Sequence, residues 1–444
     1  MSAEDSARSV SRTEGVDRVR ALQRVLYRSA KQQPERRFHA LYDKLTRSDV
    51  MWRAWEEVRV NRGAPGIDGV TVAEIDALGV GGVREWLGDL AVRLVEGRYR
   101  PSRLRRVEIP KPGRRGEMRV LGVPTVADRV VMTAAKIVLE PIFEADFADS
   151  SFGFRPKRSA HQALEVVRKD ANRGLVWVFD ADIEACFDQI DHAVLMVQLE
   201  RRVVDRNMLK LVRSWLRKGA FEGGVVGTPQ GSPLSPLLAN IVLHVLDEAW
   251  QAKGRRLGTL VRYCDDFVVL CPTRERAEKA RDLTADVLGS LGLNLHPDKT
   301  RIVCLRDGAD TFDFLGFTHG MRESKNRKGR WYLHKWPSAQ AMASIRGRIR
   351  ELTGRRYASM DIGKVVARVN RTLKGWGEYY RYGNSSRAFA AIDQHVHYRL
   401  ARLASVKHGL PGRSWTTRFN YQWLTRMGIH RLAGTVTYWS VVHA

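Results

Sequence analysis

Two groups of aspartates interrupt apolar stretches of this sequence. Asp180, Asp182 and Asp188 lie in FDADIEACFDQIDH, and Asp265 and Asp266 are adjacent in VRYCDDFVVLC. An ionised carboxylate beside a hydrophobic strand is costly unless a partner or a metal ion neutralises it. Aspartate oxygens are the hard ligands that suit Mg²⁺, and two such ions about 3.5–4 Å apart can activate a 3′-hydroxyl and stabilise a departing pyrophosphate. The residue types therefore favour two-metal chemistry on a phosphate.

A surface turn is the simpler explanation for an isolated pair of aspartates, because aspartate favours turns. Here, however, the apolar residues of Val261–Tyr263 precede the pair and Phe267–Leu270 follow it. A second acidic cluster also lies on an apolar segment, around Asp182. Matching clusters on two apolar segments favour a functional site over a solvated turn.

The elements that position these aspartates are predicted to be strands. Leu175–Ile183 is rich in aromatic and β-branched residues, and Gly258–Cys271 has the pattern of a hairpin with two carboxylates near its turn. The Gly/Pro loop Gly227–Ser235 leads into a predicted helix, Pro236–Trp250. Because strands alternate with helices along the chain, the fold class is α+β or α/β.

Hydrophobic periodicity predicts further elements on both sides of these strands. Helices are expected over much of residues 1–60 and over 70–100, 128–147, 194–215 and 274–291, and strands over 293–304 and 311–318. A hairpin is expected at 106–123 around the turn KPGRRG, and basic helices at 338–352, 362–382 and 385–403.

Composition limits the class of protein. The chain has 444 residues, 44% of them hydrophobic, which suffices for two or three domains with their own cores. No stretch approaches the roughly 18 apolar residues of a membrane span, and the polar N-terminus predicts no export signal. The four cysteines form no CxxC pair, which disfavours a disulfide scaffold or a zinc ribbon and fits a reducing cytoplasm.

The distribution of charge is asymmetric. The net charge is +26, and residues 321–444 hold 24 basic but only 5 acidic residues. This basic third is also rich in Trp and Tyr, a combination that favours a nucleic-acid partner with stackable bases. The alternative is a basic surface that only aids solubility.

Together these segments resemble the bacterial group II intron-encoded reverse transcriptases and maturases. The matching segments, in the order of that family, are APGIDG, RVEIPKPGRRGEMRVLGVPT, SFGFRPKRSAHQAL, DIEACFD, GTPQGSPLSPLLANI, YCDD, HPDKTRIV, FDFLGF and GWGEYYR. Each is modest alone, but their shared order over about residues 55–440 makes the resemblance specific. One departure is Cys264, where the family commonly has alanine.

The resemblance implies an α+β right-hand polymerase, with fingers and an antiparallel-sheet palm, followed by a helical thumb and maturase domain. We expect a helical N-terminal extension at 1–70, fingers at 71–175, a palm with inserted finger elements at 176–320, the thumb and maturase domain at 321–405 and a basic DNA-binding segment at 406–444. Many relatives continue into a Cys/His-rich endonuclease. No cysteine follows Cys304, so that activity is not expected.

The resemblance also assigns the catalytic aspartates. By motif position, Asp182 and Asp265 are expected to be the principal ligands of two Mg²⁺ ions, with Asp266 as an adjunct. Asp180 precedes the family's catalytic position and is expected to be structural or to support the site from behind. Phe187 falls five residues after Asp182, where the family has an aromatic gate against the ribose 2′-hydroxyl; an ordinary core phenylalanine is the alternative.

Besides Phe187, four residues are expected to contact the incoming nucleotide. Lys111 and Arg119 match the family's triphosphate-binding positions, where cations are needed. Gln230 has an amide that can contact the nucleotide or the template, while Gly231 allows close backbone approach. Lys299 in HPDKT can protonate or bind the pyrophosphate, and a plain surface lysine is an equally weighted alternative.

Basic residues in three segments are expected to contact nucleic acid. Those in SFGFRPKRS match a family segment near the template, those around GWGEYYR recur at helical spacing, and those in the tail are interleaved with aromatic residues. They are Arg155 and Lys157; Arg368, Arg371, Lys374 and Arg381; and Lys407, Arg413 and Arg418.

The leading hypothesis is an RNA-directed DNA polymerase that also binds structured group II intron RNA and promotes its splicing and mobility. Its partners would be the intron RNA, an RNA template, a DNA primer or target and dNTPs, with no membrane, in the nucleoid-associated cytoplasm of a bacterium. One alternative is a group II-like reverse transcriptase of DNA repair or phage defence. Another is an RNA-binding splicing factor whose polymerase is dispensable.

Overall fold

A bundle of helices forms the N-terminal part of the protein. The computed structural model describes residues 3–110, 118–219, 226–228, 231–410 and 417–437. Helix α6 (Val126–Glu144) is apolar around most of its circumference and begins at Thr125, whose hydroxyl accepts the backbone N–H of Asp128. It packs against α1 (Ala3–Gln32), α2 (Tyr42–Leu45) and α3 (Ser48–Asn61), while α4 (Val72–Asp76) and α5 (Gly79–Val95) pack outside α3.

The predicted hairpin is present as β1 (Arg105–Pro110) and β2 (Met118–Val123), paired antiparallel from Arg105 opposite Val123 to Pro110 opposite Met118. Its turn lies outside the described residues. Helix α7 (Ala160–Asn172) follows, and it begins with a capping box between Ser159 and Gln162.

A four-stranded antiparallel sheet holds both acidic segments. Its strands are β3 (Trp177–Asp182), β4 (Thr259–Tyr263), β5 (Asp266–Cys271) and β6 (Arg301–Cys304), in the order β4-β5-β3-β6. Side chains alternate along β3, so that Phe179 joins the core shared with the N-terminal helices and Val178 joins a second core shared with the C-terminal helices. Burial on both faces explains why these strands are almost continuously apolar.

Helices α8 (Cys186–Gln189), α9 (His192–Glu200), α10 (Arg206–Gly219), α11 (Ser235–Ala252) and α12 (Arg274–Ser290) accompany this sheet. The prediction of one helix over 194–215 was wrong, because the chain breaks between α9 and α10. One oxygen of Asp205 accepts the N–H groups of Asn207 and Met208, while the other accepts those of Leu41 and Tyr42 at 2.8 Å. A distant segment therefore fixes the break.

A second antiparallel sheet follows, made of β7 (Thr311–Phe314), β8 (Phe317–Ser324) and β9 (Arg327–Pro337). Strand β9 was not predicted, since its outer half is charged and exposed. The domain boundary expected at residue 320 falls inside β8. Of the strand expected at 293–304, only β6 and an isolated bridge between Leu295 and Ile183 are present.

The C-terminal part is helical, as predicted. Helices α13 (Ala339–Leu352), α14 (Ile362–Tyr380) and α15 (Ser386–Lys407) bury apolar faces in the second core, and the short α16 (Tyr421–Arg426) packs beside them through Leu424. Within the described part of the chain, none of the helices has the length and hydropathy needed to cross a bilayer.

Candidate active site

Strand register brings the two acidic clusters together. Antiparallel pairing of β3 with β5 places Asp182 directly opposite Asp266. Tyr263 is paired with Asp266 across the β4–β5 hairpin, so Cys264 and Asp265 form its two-residue turn. Cα atoms of directly opposed residues are about 4.5–5.5 Å apart. Asp182, Asp265 and Asp266 therefore meet at one end of the sheet, as the sequence predicted for a shared site.

The turn has an unusual backbone. Cys264 has φ +63°, in the left-handed region, and its side chain is buried. Two-residue hairpin turns require such a conformation, which glycine or asparagine normally supplies. A cysteine there is strained and depends on surrounding contacts to hold it.

The carboxylates repel each other in a buried setting. Burial, followed by repulsion from Asp180, Asp265 and Asp182, raises the pKa of Asp266 to about 8. Burial is also the main cause of the raised pKa of Asp265, and repulsion from Asp182 adds to it. Burial raises the pKa of Asp180 to about 6, against the opposing effect of Arg301. Carboxylates held together in this way are stabilised in their charged form by a cation.

Two basic side chains already lie against these acids. Lys299 forms an ion pair with Asp182 through Oδ2, and the backbone N–H of His296 donates to the Asp182 carbonyl at 2.8 Å. Arg301 donates through Nε to Asp180 at 3.0 Å. Asp180 is thus tied to the neighbouring strand β6, which is consistent with a supporting rather than a ligating role.

The residue types of the three aspartates suit a hard divalent cation, although their side chains are not placed around one. Within the described ranges, no three Asp, Glu, His or Cys side chains are placed as a group that could hold a metal ion. The three aspartates nevertheless supply the oxygen donors that Mg²⁺ takes, and their mutual repulsion is the condition that such an ion relieves. We therefore treat Asp182, Asp265 and Asp266 as the residues able to hold it.

The loop before α11 approaches both the β1–β2 hairpin and α8. Phe187 is half-buried in α8, and its carbonyl accepts the backbone N–H of Thr228 at 2.7 Å. Gly231 has φ +116°, and a Cβ there would lie 2.9 Å from the carbonyl oxygen of Gly122 in β2. The loop backbone therefore lies too close to β2 to leave room for a side chain at Gly231. Gln230 itself lies outside the described residues.

The β1–β2 hairpin carries one of the two residues predicted to contact the triphosphate, Arg119. Arg119 is exposed in β2 and stands opposite Ile109. Lys111 lies outside the described residues. The exposure of Arg119 leaves its guanidinium accessible to an anion.

Arg155 occupies a structural position instead of the expected nucleic-acid contact. Its guanidinium is buried and forms a bidentate pair with Glu144 at 2.8 and 2.9 Å. It also donates to the carbonyls of Ala148, Ser151 and Phe147. Its donors are thus used inside the protein, where they hold the segment before α7. The neighbouring Lys157 is exposed.

The aromatic residues of GWGEYYR pack against other rings of the protein. Trp376 contacts Tyr380 and Phe389, and Tyr380 also contacts Phe317. The hydroxyl of Tyr379 donates to the Leu315 carbonyl at 2.8 Å. These rings join the helical C-terminal part to the β7–β8 turn beside the aspartates.

The predicted C-terminal nucleic-acid contacts differ in their availability. Arg371, Lys374 and Arg418 are exposed, and Arg418 also lies over the ring of Phe419. Arg381 is paired with Glu378 and donates to Thr437, Lys407 donates to the Met360 carbonyl, and half-buried Arg368 lies over Tyr357. Arg413 lies outside the described residues.

Three residues that support the turn were missed by the sequence reasoning. Arg262 in β4 is paired with Asp247 of α11, and neither side chain has exposed surface. Arg262 also donates through Nη1 to Asn240 at 3.0 Å and to the carbonyl of Cys264 at 2.9 Å. The available signal was a charged residue inside an apolar strand and another inside an apolar helix.

Comparison with known proteins matches two regions of the chain to protein families. Residues 109–319 match the family described as reverse transcriptase (RNA-dependent DNA polymerase), and residues 342–421 match the group II intron, maturase-specific domain. Reverse transcriptases in general use divalent metal ions.

Three relatives show how far the similarity extends. Protein YkfC of Escherichia coli is 33% identical over 357 residues, covering 70% of this chain and 90% of YkfC. Group II intron-encoded protein LtrA of Lactococcus lactis is 38% identical over 216 residues, covering 48% of this chain and 35% of LtrA. The putative COX1/OXI3 intron 1 protein of Saccharomyces cerevisiae is 31% identical over 327 residues, covering 61% of this chain and 38% of that protein.

The chain thus spans most of YkfC but little more than a third of the other two relatives. The order of the matched regions, polymerase before maturase, is the order in which the sequence motifs occur. The chain belongs to the group II intron-encoded reverse transcriptases and maturases, a family of RNA-directed DNA polymerases that act in intron splicing and mobility.

Proposed function

We propose that Asp182, Asp265 and Asp266 hold two Mg²⁺ ions during transfer of a nucleotide from a dNTP to a primer 3′-hydroxyl. The observation that carries this assignment is the register that sets Asp182 opposite Asp266, with Asp265 in the adjoining turn. When bound, the ions supply Lewis acidity at the attacking and leaving oxygens. The chain contributes the carboxylates, their rigid placement at the end of the sheet and the surrounding cations.

Primer extension on poly(rA)/oligo(dT) tests this assignment. We expect Asp265→Asn to lower the extension rate by several orders of magnitude, because the amide keeps the size of the side chain and removes its charge. Asp286→Asn is the matched control, since Asp286 is exposed on α12. Extension by Asp265→Asn at the rate of the control would refute the assignment.

We further propose roles for the residues around the aspartates. Lys299 lies close enough to Asp182 for an ion pair and is placed to move onto the pyrophosphate as it leaves. Arg119, with Lys111, would neutralise the triphosphate, and Gln230 would contact the nucleotide or the template. The ring of Phe187, which follows the β3 aspartates on α8, would lie under the sugar and exclude a 2′-hydroxyl.

We infer that the RNA partner is a structured group II intron as well as a template, and that a DNA primer or target is bound too. The exposed basic residues Lys157, Arg371, Lys374 and Arg418 support phosphate binding. We propose that the protein works in the bacterial cytoplasm at the nucleoid, where such RNA and DNA meet.

The salt dependence of RNA binding tests the basic surface. Each lost phosphate contact lowers the slope of log K against log salt by about 0.7–0.9. We expect the double variant Arg371→Gln/Lys374→Gln to have a slope that is smaller by the contribution of one or two phosphate contacts. The control Lys279→Gln on α12 should leave the slope unchanged. An unchanged slope in the double variant would show that Arg371 and Lys374 do not contact the RNA phosphates.

A further inference from the structure

A buried polar cluster lies directly behind the turn that holds Asp265. It consists of Arg262 in β4 with Asp247 and Asn240 of α11. The Arg262 guanidinium contacts both partners. Nε donates to Asp247 at 3.0 Å, and Nη2 forms an ion pair with the same carboxylate. Nη1 donates to the Asn240 amide oxygen at 3.0 Å. An apolar strand carries such a charge only at a large desolvation cost, so the cluster needs a reason to be there.

A fourth contact of the guanidinium explains why a charged cluster is buried behind the turn. Nη1 of Arg262 also donates to the carbonyl of Cys264 at 2.9 Å. Cys264 is buried, has φ +63° and immediately precedes Asp265. A buried carbonyl in a strained turn needs a partner, and Arg262 supplies it from two residues earlier on the same strand.

The same arginine ties the turn to a second segment. The backbone of Arg262 accepts the N–H of Phe152 and donates to the carbonyl of Ser150, both at 2.8 Å. Asn240 donates to the Gly153 carbonyl at 2.8 Å, and a Cβ on Gly153 would lie 2.5 Å from the backbone nitrogen of Cys264. Helix α11, the turn and residues 150–153 are therefore held as one unit.

We propose that Arg262, backed by Asp247 and Asn240, is a positioning residue that fixes the Cys264–Asp265 turn in the conformation that binds the metal ions. This inference rests on the proposed function of Asp265. A planar guanidinium fork can hold Asp247, Asn240 and the Cys264 carbonyl simultaneously, whereas a lysine ammonium can pair with Asp247 but cannot reproduce the fork. Without the fork, Asp265 loses its fixed direction, although the buried charge stays neutralised.

The variant Arg262→Lys separates these two roles of the side chain. We expect it to fold, with a melting temperature somewhat below that of the parent protein because the buried Cys264 carbonyl and the Asn240 amide oxygen lose their donor. Its midpoint for Mg²⁺ activation should rise and its extension rate should fall, each by about 10- to 100-fold, the usual cost of losing an outer contact behind a metal ligand. Mn²⁺ binding in the presence of primer-template, measured by electron paramagnetic resonance, should weaken in parallel. The exposed pair Arg201–Glu248, whose acid is the next residue of α11, provides the control Arg201→Lys.

The native cysteines report on the turn independently of activity. Cys264 and Cys271 are both buried, the first in the turn and the second at the far end of the same hairpin. In Arg262→Lys, we expect a thiol reagent to label Cys264 at least tenfold faster while Cys271 stays protected, because only the turn is released. Equal exposure of both would show a loosened sheet and refute the positioning role.

The remaining outcomes are also decisive. Parental Mg²⁺ dependence and parental Cys264 protection in Arg262→Lys would overturn the proposal. If that variant does not fold, Asn240→Leu removes the hydrogen bonds of Asn240 with Arg262 and with the Gly153 carbonyl and leaves the ion pair intact. It must change the Mg²⁺ midpoint and the labelling of Cys264 in the same direction. If Asp265→Asn retains activity, the metal assignment fails, whereas labelling of Cys264 still decides whether Arg262 holds the turn.

Discussion

Lys335 is a buried cation whose removal should stabilise the protein. It lies in β9 opposite His319, is 4% exposed, and its ammonium lies 5.6 Å from the ring centroid of Phe317. Its Nζ has no hydrogen-bond partner among the described residues. Burial lowers its pKa from 10.5 to about 8, opposed by Glu165 and aided by Arg168. The substitution Lys335→Met keeps the length of the side chain and removes the charge.

The pKa gives the size and the pH dependence of the effect. Below pH 8 the folded and unfolded states both carry the proton, and the buried charge disfavours folding by about 3 kcal/mol. As the pH rises from about 8 to 10.5, the folded state releases its proton first, so stability increases with pH and the penalty shrinks to about 1 kcal/mol near pH 9.5. The free energy of unfolding of Lys335→Met should therefore exceed that of the parent by up to about 3 kcal/mol at pH 7. At pH 9.5 this difference should be smaller by about 2 kcal/mol.

Urea unfolding at the two pH values measures this difference. Tryptophan fluorescence reports the unfolding transition, and two of the 12 tryptophans, Trp331 and Trp336, lie on the same strand as Lys335. Lys328→Met is the control, because Lys328 is exposed on β9, and it should show no pH-dependent change relative to the parent. A Lys335→Met protein that is less stable than its parent at pH 7, or whose advantage is the same at both pH values, would refute the reasoning.

Three further substitutions test individual side chains. Phe187→Ala should raise the use of ribonucleotides relative to dNTPs by about tenfold or more in single-nucleotide extension; unchanged selectivity would make Phe187 an ordinary packing residue. Lys299→Met should lower the extension rate by about 100-fold, the usual contribution of a general acid, without changing primer-template affinity. An extension rate equal to that of the parent would show that Lys299 does not act on the pyrophosphate and only pairs with Asp182. Arg155→Met should lower the free energy of unfolding, measured in urea, by about 3 kcal/mol, because Glu144 is left unpaired. The slope of log K for RNA binding against log salt should stay unchanged. A reduced slope would show that Arg155 contacts a phosphate after all.

Local pattern predicted most of the helices and the acidic strands. The aspartates on apolar segments were correctly placed near each other, since an apolar strand that ends in carboxylates has few stable surroundings. The pattern did not specify that β3 lies between β5 and β6, and it is this order that sets Asp182 opposite Asp266. Strand order depends on packing between distant segments, which periodicity within one segment does not encode.

The helix prediction that was wrong and the strand that was missed have the same origin, which is contact between distant segments. The break between α9 and α10 depends on Asp205, whose partners Leu41 and Tyr42 lie more than 160 residues earlier. Strand β9 is held by pairing with β8, which outweighs the weak alternation of its own residues. In both cases the local sequence permits the observed structure, and a distant contact selects it.

Arginine illustrates the limit most clearly, because its type alone does not separate a phosphate contact from an internal clamp. Arg155 was assigned to nucleic acid but pairs with Glu144 and donates to backbone carbonyls. Arg262 was passed over but donates to the Cys264 carbonyl in the turn that precedes Asp265. Both stand in apolar or aromatic surroundings, whereas the exposed Arg371 lies on the polar face of an amphipathic helix. Burying an arginine is costly unless its charge is paired, so an arginine inside an apolar strand, such as Arg262, indicates a buried acidic partner elsewhere in the chain. In a strongly basic protein, the arginines outside the polar faces are therefore the ones to examine as supports of the active site.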